Sequence, residues 1–97
     1  MPLFVLIGRD GDKGPDQRLR HRAAHLAALE PLDKAGRIRH AGPLLDAGGT
    51  PRGSVVVFEA ASLDEARALA ARDPYAVEGV FESYEIHETR AVFPAAP

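Results

Sequence analysis

The sequence predicts an α+β fold with its elements in the order β-α-β-β-α-β, and three observations predict it. Leu3 to Ile7 and Ser54 to Ala60 are short runs that are apolar on both faces, as central strands are. Two stretches with apolar residues at helical spacing, about Asp16 to Ala35 and Leu63 to Asp73, each follow one half of the predicted strands. Gly- and Pro-rich connections punctuate the chain where the period changes from two to 3.6.

The first strand is bounded by Pro2 and Gly8. Arg9 to Pro15 reads as a solvated loop. Its Asp10-Gly11-Asp12-Lys13-Gly14 fails as a calcium loop, because Gly14 occupies the fifth position and His21 the twelfth, which needs a bidentate Glu. The first helix ends at Gly36, a residue suited to a left-handed cap. Leu19, Ala23, Leu26 and Leu29 form its apolar stripe, and Arg18, Arg22 and His25 line one edge of that stripe. Pro31 removes one backbone hydrogen bond inside the helix, which predicts a kink near Ala27–Glu30.

Arg37 to Leu45 is the second strand, interrupted by Gly42-Pro43, and Asp46 to Gly53 is a hairpin connection. Ser62-Leu63-Asp64-Glu65 is a capping box that opens the second helix, with Leu63, Ala66, Leu69 and Ala70 as its inner face. Asp73-Pro74 ends it, since the residue before proline leaves the α region. Tyr75 to Gly79 is a short turn of helix or a loop, and Val80 to Glu88 is the last strand. Its alternation puts Val80, Tyr84 and Ile86 on one face and Phe81, Ser83, Glu85 and His87 on the other. Residues 1–93 make one domain, and 94–97 a loose tail, with Val92 and Phe93 held against the body.

This order is the ferredoxin-like arrangement, one four-stranded antiparallel sheet with both helices on one face. It carries a consequence. Two strands are apolar on both faces, yet two helices cover only one. The bare side would exceed the few hundred Å² of contiguous apolar surface usual for monomers, which predicts a homodimer paired through the sheet face.

Composition excludes several functions. The formal charge of −2 and pI near 6.0 give no electrostatic case for nucleic acid or an acidic membrane surface. There is no Cys, so thiolate catalysis, disulfides and Cys-based metal sites are out. No apolar run is long enough to span a membrane, and the start lacks a basic signal-peptide region. The expected location is cytoplasmic.

His25 is the candidate catalytic residue, because imidazole exchanges protons near neutral pH. A histidine base needs an acceptor on one ring nitrogen, and Asp73, fixed by Pro74 at the end of the second helix, is the best partner. Arg22 and Arg18 are candidate carboxylate ligands, Ser54 a hydrogen-bond donor into the cleft, and Tyr75 a cleft wall with a polar tip. His21 and His25 have the i,i+4 spacing of a helical metal pair. Arg22 between them opposes a dication, so no metal is expected, and with no Gly-x-Gly-x-x-Gly or Walker pattern in the chain no cofactor is expected either.

The set Arg18-x-x-x-Arg22-x-x-His25-Leu26, Gly36-Arg37-Ile38, Ala41-Gly42-Pro43, Gly53-Ser54, Ser62-Leu63-Asp64-Glu65-Ala66 and Asp73-Pro74-Tyr75…Gly79-Val80 resembles the YciI-like (YCII-related) proteins. The resemblance runs from Leu3 to about Phe93. It implies a dimeric α+β barrel and a His–Asp active site that carries over onto His25 and Asp73, with Arg22, Ser54 and Arg18 beside it. Relatives in that superfamily include muconolactone isomerases and a dehydrochlorinase of chlorinated hydroxyquinol. The implied activity is therefore a cofactor-independent, proton-transferring lyase or isomerase acting on a small carboxylated metabolite. Pro31 departs from the family pattern, and its kink bears on whether His25 reaches Asp73. The alternatives are a non-catalytic metabolite-binding module and an oxygen-using or haem-handling enzyme of the same superfamily.

Overall fold

The computed structural model describes residues 1–95. Its elements are β1 (Leu3–Asp10), α1 (Gly14–Lys34), β2 (Ile38–Leu45), β3 (Pro51–Glu59), α2 (Leu63–Arg72), the single turn α3 (Pro74–Val77) and β4 (Phe81–Thr89). The strands form one sheet in the order β2-β3-β1-β4, every neighbouring pair antiparallel. This is the ferredoxin-like topology that the pattern of the sequence predicts.

The period of two sorts the central strands. Phe4 and Leu6 of β1 lie beside Phe58 and Val56 of β3, and all four are buried under the helices. Ala66 and Ala70 bring α2 close to this layer, and Tyr75, Val80 and Phe81 complete the core. On the opposite face Val5 pairs with Val57 and Ile7 with Val55. Among the described residues no element covers those four, which are half-buried.

The helix ends follow from their residues. Gly36 has φ +72°, its N–H donates to the Asp33 carbonyl (2.9 Å), and the Arg37 N–H donates to the Leu32 carbonyl (2.9 Å). That is a complete Schellman stop. At α2 the Glu65 N–H donates to Ser62 Oγ (3.1 Å). The return bond comes from the Ala61 N–H to Glu65 Oε1 (3.1 Å), one residue before the expected donor. α1 runs unbroken through Pro31, which stands on the exposed side, as does Ala27, whose carbonyl loses its donor.

Four expectations are corrected. The stripe Leu19–Ala23–Leu26–Leu29 is not the buried face of α1. Leu19 is 79% and Leu26 44% exposed, while Gly14, Arg18 and His25 point inward. Of the stripe only Leu29 packs, half-buried, against the core. Over the earlier turns the inner side meets the Asp10 and Asp73 carboxylates and the Ser54 hydroxyl, so there the polar edge is the one that goes down.

Arg9 to Pro15 is mostly not a solvated loop. β1 continues to Asp10, opposite Phe81, and α1 begins at Gly14 with Pro15 in its first turn. Phe81 sits in the core instead of on the outer face with Ser83. The ladder shifts between Arg9 and Asp10, and Gly8 leaves the room: a Cβ there would stand 2.6 Å from the Phe81 ring. Val92 and Phe93 do not hold the tail, being 68% and 83% exposed. Of the tail expected to be loose, Ala96 and Pro97 lie outside the described residues. Among the described residues no helix is long and apolar enough to cross a membrane.

Candidate active site

Asp73 is placed by two constraints that meet at one residue. It closes α2 and opens α3, and the following Pro74 holds it extended at φ −63°, ψ 129°. In that conformation its Oδ1 accepts the Tyr75 N–H (2.9 Å), as an N-cap carboxylate does. The same Oδ1 lies 2.8 Å from His25 Nδ1 on α1. Both side chains are nearly out of solvent.

A carboxylate only accepts, so the Nδ1 of a neutral His25 carries the proton and donates it to Asp73. Nε2 is left with its lone pair. Among the described residues no buried side-chain nitrogen or oxygen lacks a partner, so Nε2, which has none, is accessible. Pro31 leaves this contact in place, because the hydrogen bond it removes falls after His25 in the helix.

Tyr75 stacks on the imidazole, ring centroids 3.9 Å apart and 4° from parallel. Its hydroxyl donates to the Arg18 carbonyl (3.3 Å), and the edge of Phe81 meets it from the core at 5.8 Å. Burial pushes the Tyr75 hydroxyl above its ordinary value of 10.0, with the Arg18 and Arg22 charges opposing, so it is a donor at neutral pH. Histidine is thus fixed at Nδ1 by a charge and across its face by a ring.

Arg18 is also buried. Its Nε donates to Asp10 Oδ2, and its Nη2 donates to Asp10 Oδ1 (3.1 Å) and to Ser54 Oγ (2.8 Å). The guanidinium carbon stands 4.9 Å from the Tyr75 ring centroid. Gly14 permits this, since a Cβ on it would lie 2.6 Å from the Cβ of Asp10. The Asp10 side chain is fully buried, and a solvated loop over Arg9 to Pro15 does not predict it as part of the site. The available signal was an acid ending an apolar strand, followed by Gly14 and then an arginine one turn into the helix.

These groups border a cleft of about 460 Å³ between α1 and the β2–β3 side of the sheet. Arg18, His25, Ser54 and Tyr75 form its floor. Leu19 and Leu26 of α1 and Pro43 and Pro51 of β2 and β3 form an apolar wall. Arg22 also lines it and is exposed, with no ion-pair partner among the described residues. The displaced leucines of α1 therefore have a place, on the cleft rather than in the core. Of the six residues singled out from the sequence, five line this cleft, four of them nearly buried and Arg22 at the rim, while Asp73 stands behind His25 without lining it. His21 has no part in it. Among the described residues no three His, Asp or Glu side chains converge as metal ligands.

Residues 2–90 match the YCII-related domain family. The chain belongs to that family. It is 37% identical to Protein YciI of Escherichia coli O6:H1, over 94% of this chain and 99% of that protein. It is 32% identical to an uncharacterized protein of Haemophilus influenzae, over 93% and 98% of the two chains. Among solved structures, 5-chloro-2-hydroxyhydroquinone dehydrochlorinase from Burkholderia phenoliruptrix AC1100, in complex with 2,5-dihydroxybenzoquinone, is similar at TM-score 0.84. The two share 32% identity over 91% of this chain and 93% of that one. Rv0793 from Mycobacterium tuberculosis, at 20% identity and TM-score 0.56, shares the fold alone.

Proposed function

We propose that this protein is a cofactor-independent lyase or isomerase that moves a proton on a small, oxygen-rich, carboxylated or quinone-like metabolite. One observation carries the reading: His25 is held by Asp73 at Nδ1, 2.8 Å away, so that Nε2 is the nitrogen left for a ligand. In this mechanism Nε2 takes a proton from a carbon next to a carbonyl, and Asp73 stabilises the imidazolium that results. The electron pair of the broken C–H bond moves into the carbonyl, whose oxygen becomes an enolate held by the donors of Arg18 and Ser54. Return of the proton from Nε2 to a different carbon completes an isomerisation. Collapse of the enolate with loss of a leaving group on the neighbouring carbon, such as chloride, completes an elimination. The dehydrochlorinase named above supports this class of chemistry, being similar over nearly the full length of both chains. Tyr75 supplies a ring wall and Arg22 a cation for the substrate's carboxylate.

The protein in this reading acts as a homodimer, paired through the bare face that carries Val5, Ile7, Val55 and Val57. It works in the cytoplasm.

The test does not need the physiological substrate. Small 2-oxo acids and hydroxyquinones are incubated with the protein in heavy water, and exchange of their carbon-bound protons is followed by NMR. Wild-type protein exchanges at least one of them, and His25→Gln slows that exchange on the order of 10²–10⁴-fold, the usual worth of a general base. Binding that survives His25→Gln, with no exchange by the wild type, assigns the cleft to a metabolite-binding module and sinks the enzymatic reading.

A further inference from the structure

The site holds two arginines that look alike in the sequence and differ in the structure. Arg18 has three of its five N–H donors committed, two to Asp10 and one to Ser54. Its charge faces a carboxylate whose side chain is fully out of solvent. The two donors on Nη1 have no protein partner and, like His25 Nε2, are accessible. Arg22 lies one turn further along α1, lines the same cleft, and has no carboxylate against it among the described residues.

We infer that Asp10 is a positioning residue that neutralises and aims Arg18, so that Arg18 serves an uncharged or developing oxygen of the ligand while Arg22 alone reads the ligand's standing negative charge. The ligand class follows: a small planar molecule with a carbonyl or phenolic oxygen at the floor and one anionic group at the mouth. This deepens the proposed function and rests on its reading of the cleft as a ligand site.

The physical basis is the order of the charges. An arginine paired side-on with a buried carboxylate has given most of its field to that partner, and what remains is a directed hydrogen-bond donor. Such a donor suits an oxygen that is neutral when the substrate binds and gains charge as the proton leaves, because it costs no rearrangement at that moment. A second full charge at the floor would favour tight binding of the anion in its resting state, which does nothing for the reaction. At the rim, a solvated arginine attracts an anion without holding the reacting atoms. Gly14 shows how closely the arrangement is built, since any Cβ there would strike Asp10.

Calorimetry with a matched pair of ligands tests this. Gentisate carries a carboxylate and gentisamide is its neutral counterpart; the hydroxyquinone bound by the dehydrochlorinase, 2,5-dihydroxybenzoquinone, serves as a third probe. Wild-type protein binds gentisate more tightly than gentisamide. Arg22→Gln, a rim substitution that leaves the fold alone, abolishes that preference by weakening gentisate about tenfold and gentisamide little. Asp10→Asn keeps an oxygen for Arg18 but releases its charge. The preference for gentisate then rises about tenfold, whereas loss of a merely structural residue would weaken both ligands alike.

A preference that is unchanged in Arg22→Gln overturns the inference while leaving the cleft a binding site. Equal weakening of both ligands in a folded Asp10→Asn does the same. A wild-type protein that binds none of the three probes overturns the proposed ligand class and, with it, this division of labour. That result leaves the proton-exchange assay to judge His25 separately.

Discussion

At the scale of single residues, the site is built from side chains that each satisfy two neighbours. Asp73 Oδ1 takes both the Tyr75 N–H and His25 Nδ1, so the turn that shapes the backbone also fixes the imidazole. Tyr75 has a pH signature of its own. Its folded pKa is raised, first by burial, above the ordinary 10.0. Below that value tyrosine is protonated in folded and unfolded chains alike, and the full stability is present. Above it the unfolded chain releases the proton first, so stability falls as pH rises toward the higher folded value. Urea titrations at a series of alkaline pH values should show this loss in the wild type and a flatter dependence in Tyr75→Phe. At neutral pH the same variant should cost about 1 kcal/mol, the worth of its hydroxyl's bond to the Arg18 carbonyl. An equally steep alkaline loss in Tyr75→Phe would assign the effect to another group.

At the scale of elements, α1 is the informative case. Its hydrophobic stripe is real in the sequence, but which side of a helix goes down depends on what waits beneath it. Beneath α1 lie Asp73, Ser54 and Asp10, so Arg18 and His25 turn inward and Leu19 and Leu26 line the cleft. Helix periodicity alone does not reveal those partners, because they come from a strand end, another strand and another helix. Pro31 was readable from the sequence, its consequence was not. The bond it removes lies on the exposed side and beyond His25, so the helix continues. Pro31→Ala should therefore raise stability by about 1–3 kcal/mol, the propensity gained less the extra freedom of the unfolded chain. Ligand affinity should stay unchanged. A denaturation curve and a titration with the same probe check both, and a loss of affinity would show that Pro31 shapes the cleft.

At the scale of the whole molecule, the sheet has one face under helices and one that is bare, with Val5, Val57, Ile7 and Val55 in register across it. A second copy placed there by a two-fold axis meets the same residues, as a self-complementary interface requires. Val57→Asp puts a charge at the centre of that face and should shift the proposed dimer to monomer in sedimentation velocity. His25 and Asp73 lie on the other side of the sheet, so the monomer should still bind probe. A wild type that sediments as a monomer would leave the face to some other cover.

What the sequence by itself determined is the order of the elements, their caps and the residues worth watching. Those are local matters: a period of two or 3.6, Gly36 at a stop, Ser62 and Glu65 at a start, a proline after Asp73. Family membership follows from the same residues in the same order and is shared with relatives over nearly the whole chain. Only the tertiary structure decided which face of α1 is inside, that Phe81 belongs to the core, and that Asp10 sits under Arg18. Each of these depends on groups far apart in the chain. A buried charge goes where an opposite charge is waiting, and that place exists only once the sheet and helices have come together.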